Sequence, residues 1–228
     1  MKIVSWNCNL NLAKKFVHLE AIDADIFIIQ ECEKLKEDYF PNAKFFWTGR
    51  IENKGLGIII KNKSALLDPI HNPNFINFLP IRSDEIKIMG VWAYNHRAVK
   101  FGDNVSGKTI EAINHYKNWL VEDQMPSVFA GDFNNSVIWD KSKNDNNFQN
   151  INKKLESFGF LSTYHSLTGD VFGDEDKPTF FHTKNILKQY HIDYIYLKSS
   201  EATSVKVGEY HDWIKLSDHV PIITEITN

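Results

Sequence analysis

The chain has 228 residues, 43% of them hydrophobic and 13% aromatic, which is enough to bury the core of one large domain. A formal net charge of -3 excludes a bulk cationic field, so a polyanionic partner would have to be held by a local patch or by bound metal. The only two cysteines, Cys8 and Cys32, sit inside apolar runs, which excludes a disulfide framework and predicts reduced, buried thiols.

The first residues show no charged leader followed by an apolar stretch, and no run reaches the roughly 18 apolar residues of a membrane span, so a soluble cytoplasmic protein is expected. Residues 3–6 predict a first strand and residues 26–29 a second. Between them Leu12, Phe16 and Leu19 return at helical spacing, which predicts a crossover helix and a parallel opening. Strands follow at 56–60 and 86–92. Thr109 is expected to cap a helix whose apolar stripe is Ile110, Ile113, Tyr116 and Leu120. After a strand at 128–130, residues 146–158 predict a third helix stopped by Gly159, and strands at 192–197 and 220–226 end the series. Segments 62–75, 103–108, 136–147 and 168–178 are polar and read as loops, none long enough to link domains. Residues 1–228 therefore read as one domain, and many strands with few helices suit two mixed sheets covered outside by helices.

Acidic and amide side chains recur where apolar runs end: Asn7, Glu31, and Asp132 with Asn134. Strand ends are where sites are usually built, and the recurrence outweighs the bland reading of each as a solvated loop residue. In Gly131-Asp132-Phe133-Asn134 an extended backbone would send Asp132 and Asn134 to one side and Phe133 into the core, with Gly131 allowing a tight turn. Such a pair can hold a water, a phosphate oxygen or a metal. Ser217-Asp218-His219 precedes the last strand, and both Asp218 and His219 can serve one site only if the backbone is irregular there. Asp193, in an apolar strand, is expected to bond the imidazole of His219 and fix its tautomer.

Trp6-Asn7, Gln30-Glu31, Gly131-Asp132-Phe133-Asn134, Ile192-Asp193-Tyr194 and Ser217-Asp218-His219 occur in the order of the endonuclease/exonuclease/phosphatase superfamily, which includes pancreatic deoxyribonuclease, and the resemblance spans residues 6 to 219. It implies a four-layer α/β sandwich. It also implies Glu31 as the principal Mg²⁺ or Mn²⁺ ligand, assisted by Asn7 and Asp218. Asp132 would orient or deprotonate the attacking water, Asn134 would hold that water or the scissile phosphate, and His219, oriented by Asp193, would stabilise charge on the phosphate. His96 stands where many members place a second catalytic histidine, with Tyr94 as the alternative and Arg97 as a phosphate contact. Pro178-Thr179-Phe180 resembles another family element, whose expected role is packing and loop positioning.

The resemblance implies a monomeric, metal-dependent nuclease acting on DNA, with RNA a further candidate. The alternative is a phosphatase or phosphodiesterase for a small phosphorylated metabolite or lipid headgroup, which the acidic balance favours. An inactive binding module is disfavoured because none of the motif residues is missing.

Overall fold

The structure, a computed structural model, describes residues 1–62, 64–94, 100–101, 105–106, 108–141 and 145–227. Its first half runs β1 (Lys2–Asn7), α1 (Leu12–Glu20), β2 (Ile26–Cys32), β3 (Lys44–Ile51), β4 (Lys54–Ile60), β5 (Leu66–Leu67), β6 (Phe78–Arg82), β7 (Lys87–Trp92), β8 (Lys100–Phe101) and β9 (Val105–Ser106). The second runs α2 (Thr109–His115), α3 (Lys117–Val121), β10 (Ser127–Asp132), α4 (Phe148–Ser157), β11 (Leu161–Ser162), α5 (Thr163–Thr168), β12 (Phe180–Phe181), β13 (Gln189–Tyr190), β14 (Asp193–Lys198), β15 (Ala202–Val207), α6 (Tyr210–Trp213) and β16 (Ile222–Ile226).

Two six-stranded sheets carry the fold, in the orders β15-β16-β1-β2-β4-β3 and β11-β14-β10-β7-β6-β5. Each is mixed in the same way: one parallel pair, β1 with β2 or β7 with β10, lies among antiparallel neighbours. A parallel pair needs a crossover, and α1 supplies the first while α2 and α3 supply the second. Ile3, Ile28 and Ile58 of one sheet meet Ile88, Ala130 and Ile195 of the other in a shared core. Separate apolar layers lie outside each sheet, with Leu12 and Leu19 of α1 on the first, and Ile113, Leu120 and Leu155 on the second. The four layers are the expected ones. Strands covered on both faces read as continuous apolar runs, which is why β2 and β10 stand out in the sequence.

Several local expectations are corrected. Lys108, not Thr109, occupies the cap position of α2, and no side chain caps it from there; Asn146 Oδ1 accepts the Ile110 N–H at 3.0 Å instead. The single predicted stripe is divided at Tyr116 between α2 and α3, and Trp119 joins the buried face. Segment 62–75 contains β5 and a helical turn, Pro73–Phe75. The helix α4 follows the prediction, with Asn147 Oδ1 capping the Asn150 N–H at 2.8 Å and Gly159 at φ +87° beyond its end. Among the described residues no helix is long and apolar enough to cross a membrane.

Two lysines clamp α3 to the second sheet. Lys87 of β7 is fully buried, its Nζ donating to Trp119 O at 2.7 Å and pairing with Asp123 Oδ1 at 2.9 Å. Lys198 of β14 donates to Leu120 O at 2.8 Å and Asp123 O at 3.2 Å. Both strands pair with β10 at Ser127, so the ammonium groups arrive side by side at the carbonyl end of the helix, where positive charge is favourable. Replacing Lys87 by Met strands a buried carbonyl, so urea unfolding should show a loss of about 2–3 kcal/mol. Asn147→Ala should cost about 1 kcal/mol by the same measurement. A Lys87→Met variant no weaker than Asn147→Ala would refute the clamp.

Candidate active site

β10 and β14 run antiparallel with Asp132 directly opposite Asp193, and both carboxylates are fully buried. Like charges so placed repel, and each is desolvated. The neighbouring groups compensate. Asp132 Oδ1 accepts the Asn134 N–H at 2.8 Å, while its Oδ2 accepts Asn134 Nδ2 at 3.0 Å and Asn7 Nδ2 at 3.0 Å. Asp193 Oδ2 lies 2.9 Å from His219 Nδ1, as expected from the sequence. Burial and the charge of Asp193 push the Asp132 carboxyl up to about 7, against the pull of His219 and the Asn7 hydrogen bond. Burial by itself lowers the His219 imidazole, but the charge of Asp193 and its hydrogen bond outweigh that and hold the ring at about 9.

Local backbone explains how these side chains meet. Gly131 has φ +150°, and a Cβ there would lie 1.8 Å from Val91 O on β7, so glycine is required by close strand approach rather than by the predicted tight turn. Phe133 packs into the core as expected, 5.3 Å from the Tyr194 ring. Asn134 reaches Asp132 by a left-handed turn at φ +47°, not by strand alternation. At the other end of the chain, residues 217–219 are irregular and β16 begins only at Ile222, which lets Asp218 and His219 both belong to the site. Ser217 Oγ ties this segment to Asn7 O at 2.7 Å and accepts the His219 N–H at 3.1 Å.

Thr179 gives the Pro178-Thr179-Phe180 element its purpose. Its Oγ1 accepts the Ile192 and Asp193 N–H groups, each at 3.1 Å, and its carbonyl accepts from Val220 at 2.8 Å. Phe180 covers the His219 ring at 4.6 Å. Asn9 does not stand out as a site residue in the sequence, yet its Nδ2 donates to Asp218 Oδ1 at 3.1 Å, and its N–H donates to Asn7 Oδ1 at 3.1 Å. The alternation Asn7, Asn9, Asn11 is the signal that could have found it, since Asn tolerates the left-handed backbone found at residues 9 to 11.

Glu31 sits on a β-bulge of β2 with φ +57°, and its Oε2 pairs with Lys54 Nζ at 2.9 Å. Tyr94 borders a cleft of about 180 Å³ with Arg50, Lys54 and Trp92. His96 and Arg97 lie outside the described residues. Larger surface hollows, about 580 and 710 Å³, are lined by residues such as Asp25 and Glu85 or Leu161 and Leu197, none of them in this network. His165 is packed between Ser162, Glu175 and Phe172. His191 hydrogen-bonds Lys177 O through Nδ1 and touches neither Asp132 nor His219 among its hydrogen bonds. Burial pushes the Cys8 thiol up to about 12 and that of Cys32 up as well, which makes both unreactive.

Two oxygen-rich groups invite a cation. Asp132, Asp193 and His219 offer ligand atoms within 4.8 Å of one another, but His219 Nδ1 is engaged by Asp193 and the ring is held protonated, and an imidazolium is no ligand. Glu31, Asn7 and Asp218 offer two carboxylates and an amide oxygen, the hard donors that suit Mg²⁺ or Mn²⁺. Asn7 and Gln30 pair in register, and Ser217 bonds Asn7 O, so these three sit at adjoining chain segments.

The model of the Endonuclease/Exonuclease/phosphatase family matches residues 4–219. Among solved structures, the chain is similar to an AP endonuclease from Archaeoglobus fulgidus, with 17% identity and a TM-score of 0.72. It is also similar to the 3′ phosphatase NExo from Neisseria bound to a product DNA hairpin, at 18% and 0.69, and to an endonuclease/exonuclease/phosphatase family protein from Leptotrichia buccalis C-1013-b, at 16% and 0.66. Each alignment covers 100% of both chains, and at such identity it is the fold that is shared. No curated protein sequence matches.

The Asp193–His219 pair has a pH signature. Because the folded pKa of His219 is raised above its ordinary 6.5, the pair's stabilisation is complete below about pH 6.5 and is lost as pH rises through about 9. Imidazole NMR should follow His219 titrating near pH 9, and Asp193→Asn should bring it down by units and flatten the stability loss across that window. An unmoved titration in Asp193→Asn would contradict the pairing.

Proposed function

Because the chain belongs to the Endonuclease/Exonuclease/phosphatase family, we propose that it is a divalent-metal-dependent phosphodiester hydrolase acting on DNA. The observation that carries this reading is the buried network in which Asn7 and Asn134 hold Asp132 while Asp193 holds His219. Glu31, Asn7 and Asp218 would hold Mg²⁺ or Mn²⁺, which when bound neutralises phosphate charge and polarises the phosphoryl oxygen.

Asp132 accepts three hydrogen bonds and has lone-pair capacity left for a water proton, and a carboxyl near 7 is suited to take it at neutral pH. Both amide hydrogens of Asn134 are engaged, by Asp132 and by Ala93 O, so only its carbonyl oxygen can serve a substrate. That supports the attacking water, rather than a phosphate oxygen, as its partner. With Nδ1 committed to Asp193, His219 presents Nε2–H to a phosphate oxygen and meets the charge that grows there as the water attacks in line with the leaving oxygen. Asp193 keeps that ring oriented and charged.

DNA is favoured as substrate by the solved neighbours, one an AP endonuclease and one bound to a DNA hairpin. The net charge of -3 and the description of NExo as a 3′ phosphatase support a second reading, a phosphatase for terminal or small phosphoesters. Hydrolysis of plasmid DNA, single-stranded DNA, RNA, bis-p-nitrophenyl phosphate and small phosphomonoesters, with Mg²⁺, Mn²⁺ or chelator, separates them. Metal-dependent cleavage of DNA is expected, and turnover restricted to phosphomonoesters would move the assignment to the second reading. Asp132→Asn and His219→Gln should each lower the rate by about 10²–10⁴-fold with the fold intact by circular dichroism. Unchanged turnover in either variant would overturn the role of the residue replaced.

A further inference from the structure

Lys54 opens β4 beside the bulge that presents Glu31, where the β2–β4 register jumps from Gln30↔Leu56 to Cys32↔Gly55. Its Nζ sits 2.9 Å from Glu31 Oε2 and 5.4 Å from the centroid of the Trp92 ring. The carboxylate is only 21% exposed and the lysine 37%, so the pair is partly sheltered at both ends. Lys15, on α1, is committed to Cys8 O at 2.6 Å and Asn9 O at 3.1 Å. A divalent cation binding Glu31 therefore meets an ammonium group already on one of its oxygens.

We propose that Lys54 is a resident counter-cation that sets the divalent-ion affinity of the Glu31 site by competing for Glu31 Oε2. The proposal rests on the reading of Glu31 as a metal ligand. A lysine beside a ligand carboxylate can act in two opposite ways, as a competitor that weakens metal binding or as a splint that strengthens it by holding the carboxylate in place. Charge decides between them. The bulge at φ +57° and the Leu10 N–H on its carbonyl at 3.0 Å fix the Glu31 backbone, but a dication arriving at a carboxylate whose Oε2 already faces an ammonium at 2.9 Å meets like charge at close range, which a splint cannot offset. Competition and like-charge repulsion of the incoming ion remain. Lys54 thereby moderates a site that would otherwise bind its cation more tightly, and its charge stays over Trp92, the register partner of Asp132.

The test is Mn²⁺ binding to the full chain without substrate, read from the electron paramagnetic resonance signal of free Mn²⁺, for the wild type, Lys54→Met, Lys54→Arg and Glu31→Gln. Lys54→Met should bind Mn²⁺ about fivefold more tightly, the worth of a partly exposed ion pair, while Lys54→Arg stays with the wild type. Unchanged or weaker binding in Lys54→Met overturns the proposal and assigns Lys54 to positioning. Glu31→Gln should lose affinity. If it binds as the wild type does, the metal-ligand reading of Glu31 falls, and the competition argument with it.

Discussion

Two buried carboxylates face each other across β10 and β14, and the rest of the site is arranged around making that tolerable. The donors that satisfy them come from far along the chain: Asn7 from the first strand, Asn134 from the turn after β10, and His219 from just before the last strand. The two are compensated unequally. Asp132 receives neutral donors and keeps a raised pKa, whereas Asp193 receives an imidazole that it charges. A base and an imidazolium thus coexist at neutral pH within one buried cluster, because burial and Asp193 raise Asp132 to about 7 while Asp193 holds His219 at about 9.

This constraint explains why two sheets are needed. Asp132 and Asp193 belong to one sheet, while Asn7 and Glu31 end the central parallel pair of the other. The shared apolar core fixes the distance between them, and the Asn7 to Asp132 hydrogen bond spans the gap. Trp6 Nε1 donating to His219 O at 3.0 Å and Ser217 Oγ donating to Asn7 O fasten the final segment to the first strand. A site assembled from residues 7, 132, 193 and 219 exists only once both ends of the chain are in place.

Most strands buried on both faces were legible because a continuous apolar run has few other readings: β1, β2, β4, β7, β10 and β14 follow predicted runs within a few residues, as does the half-exposed β16, whereas the equally buried β6, interrupted by Pro80 and closed by Arg82, was missed. The edge strand β15 was missed since its residues alternate between half-buried and exposed without an apolar run. Of the site, the residues with charge or amide chemistry at strand ends were found from sequence, while the contacts of Thr179, Asn9 and Lys54 were not. Their contributions depend on contacts between segments distant in sequence, such as Thr179 Oγ1 with the Asp193 N–H, and no local pattern encodes those. Thr109 misled for the opposite reason: its local pattern was a valid cap signal, and tertiary contact from Asn146 overrode it.

Left-handed backbone recurs around the site, although Asp23, Thr183, Lys184 and Ser199 adopt it elsewhere. Asn9, Leu10, Asn11, Glu31 and Asn134 all have φ between +47° and +68°. Three are Asn, which accept this region readily, so the strain falls mainly on Leu10 and Glu31, at roughly 1–2 kcal/mol each. Those two are joined, the Leu10 N–H donating to Glu31 O, and Cys8 Sγ approaches the same carbonyl at 3.6 Å. The loop after β1 and the bulge of β2 therefore hold each other in conformations neither would adopt alone. The result is a Glu31 backbone and Cα–Cβ bond fixed by the fold, so that the neighbour of its carboxylate, Lys54 or a metal ion, can change without moving the rest of the site.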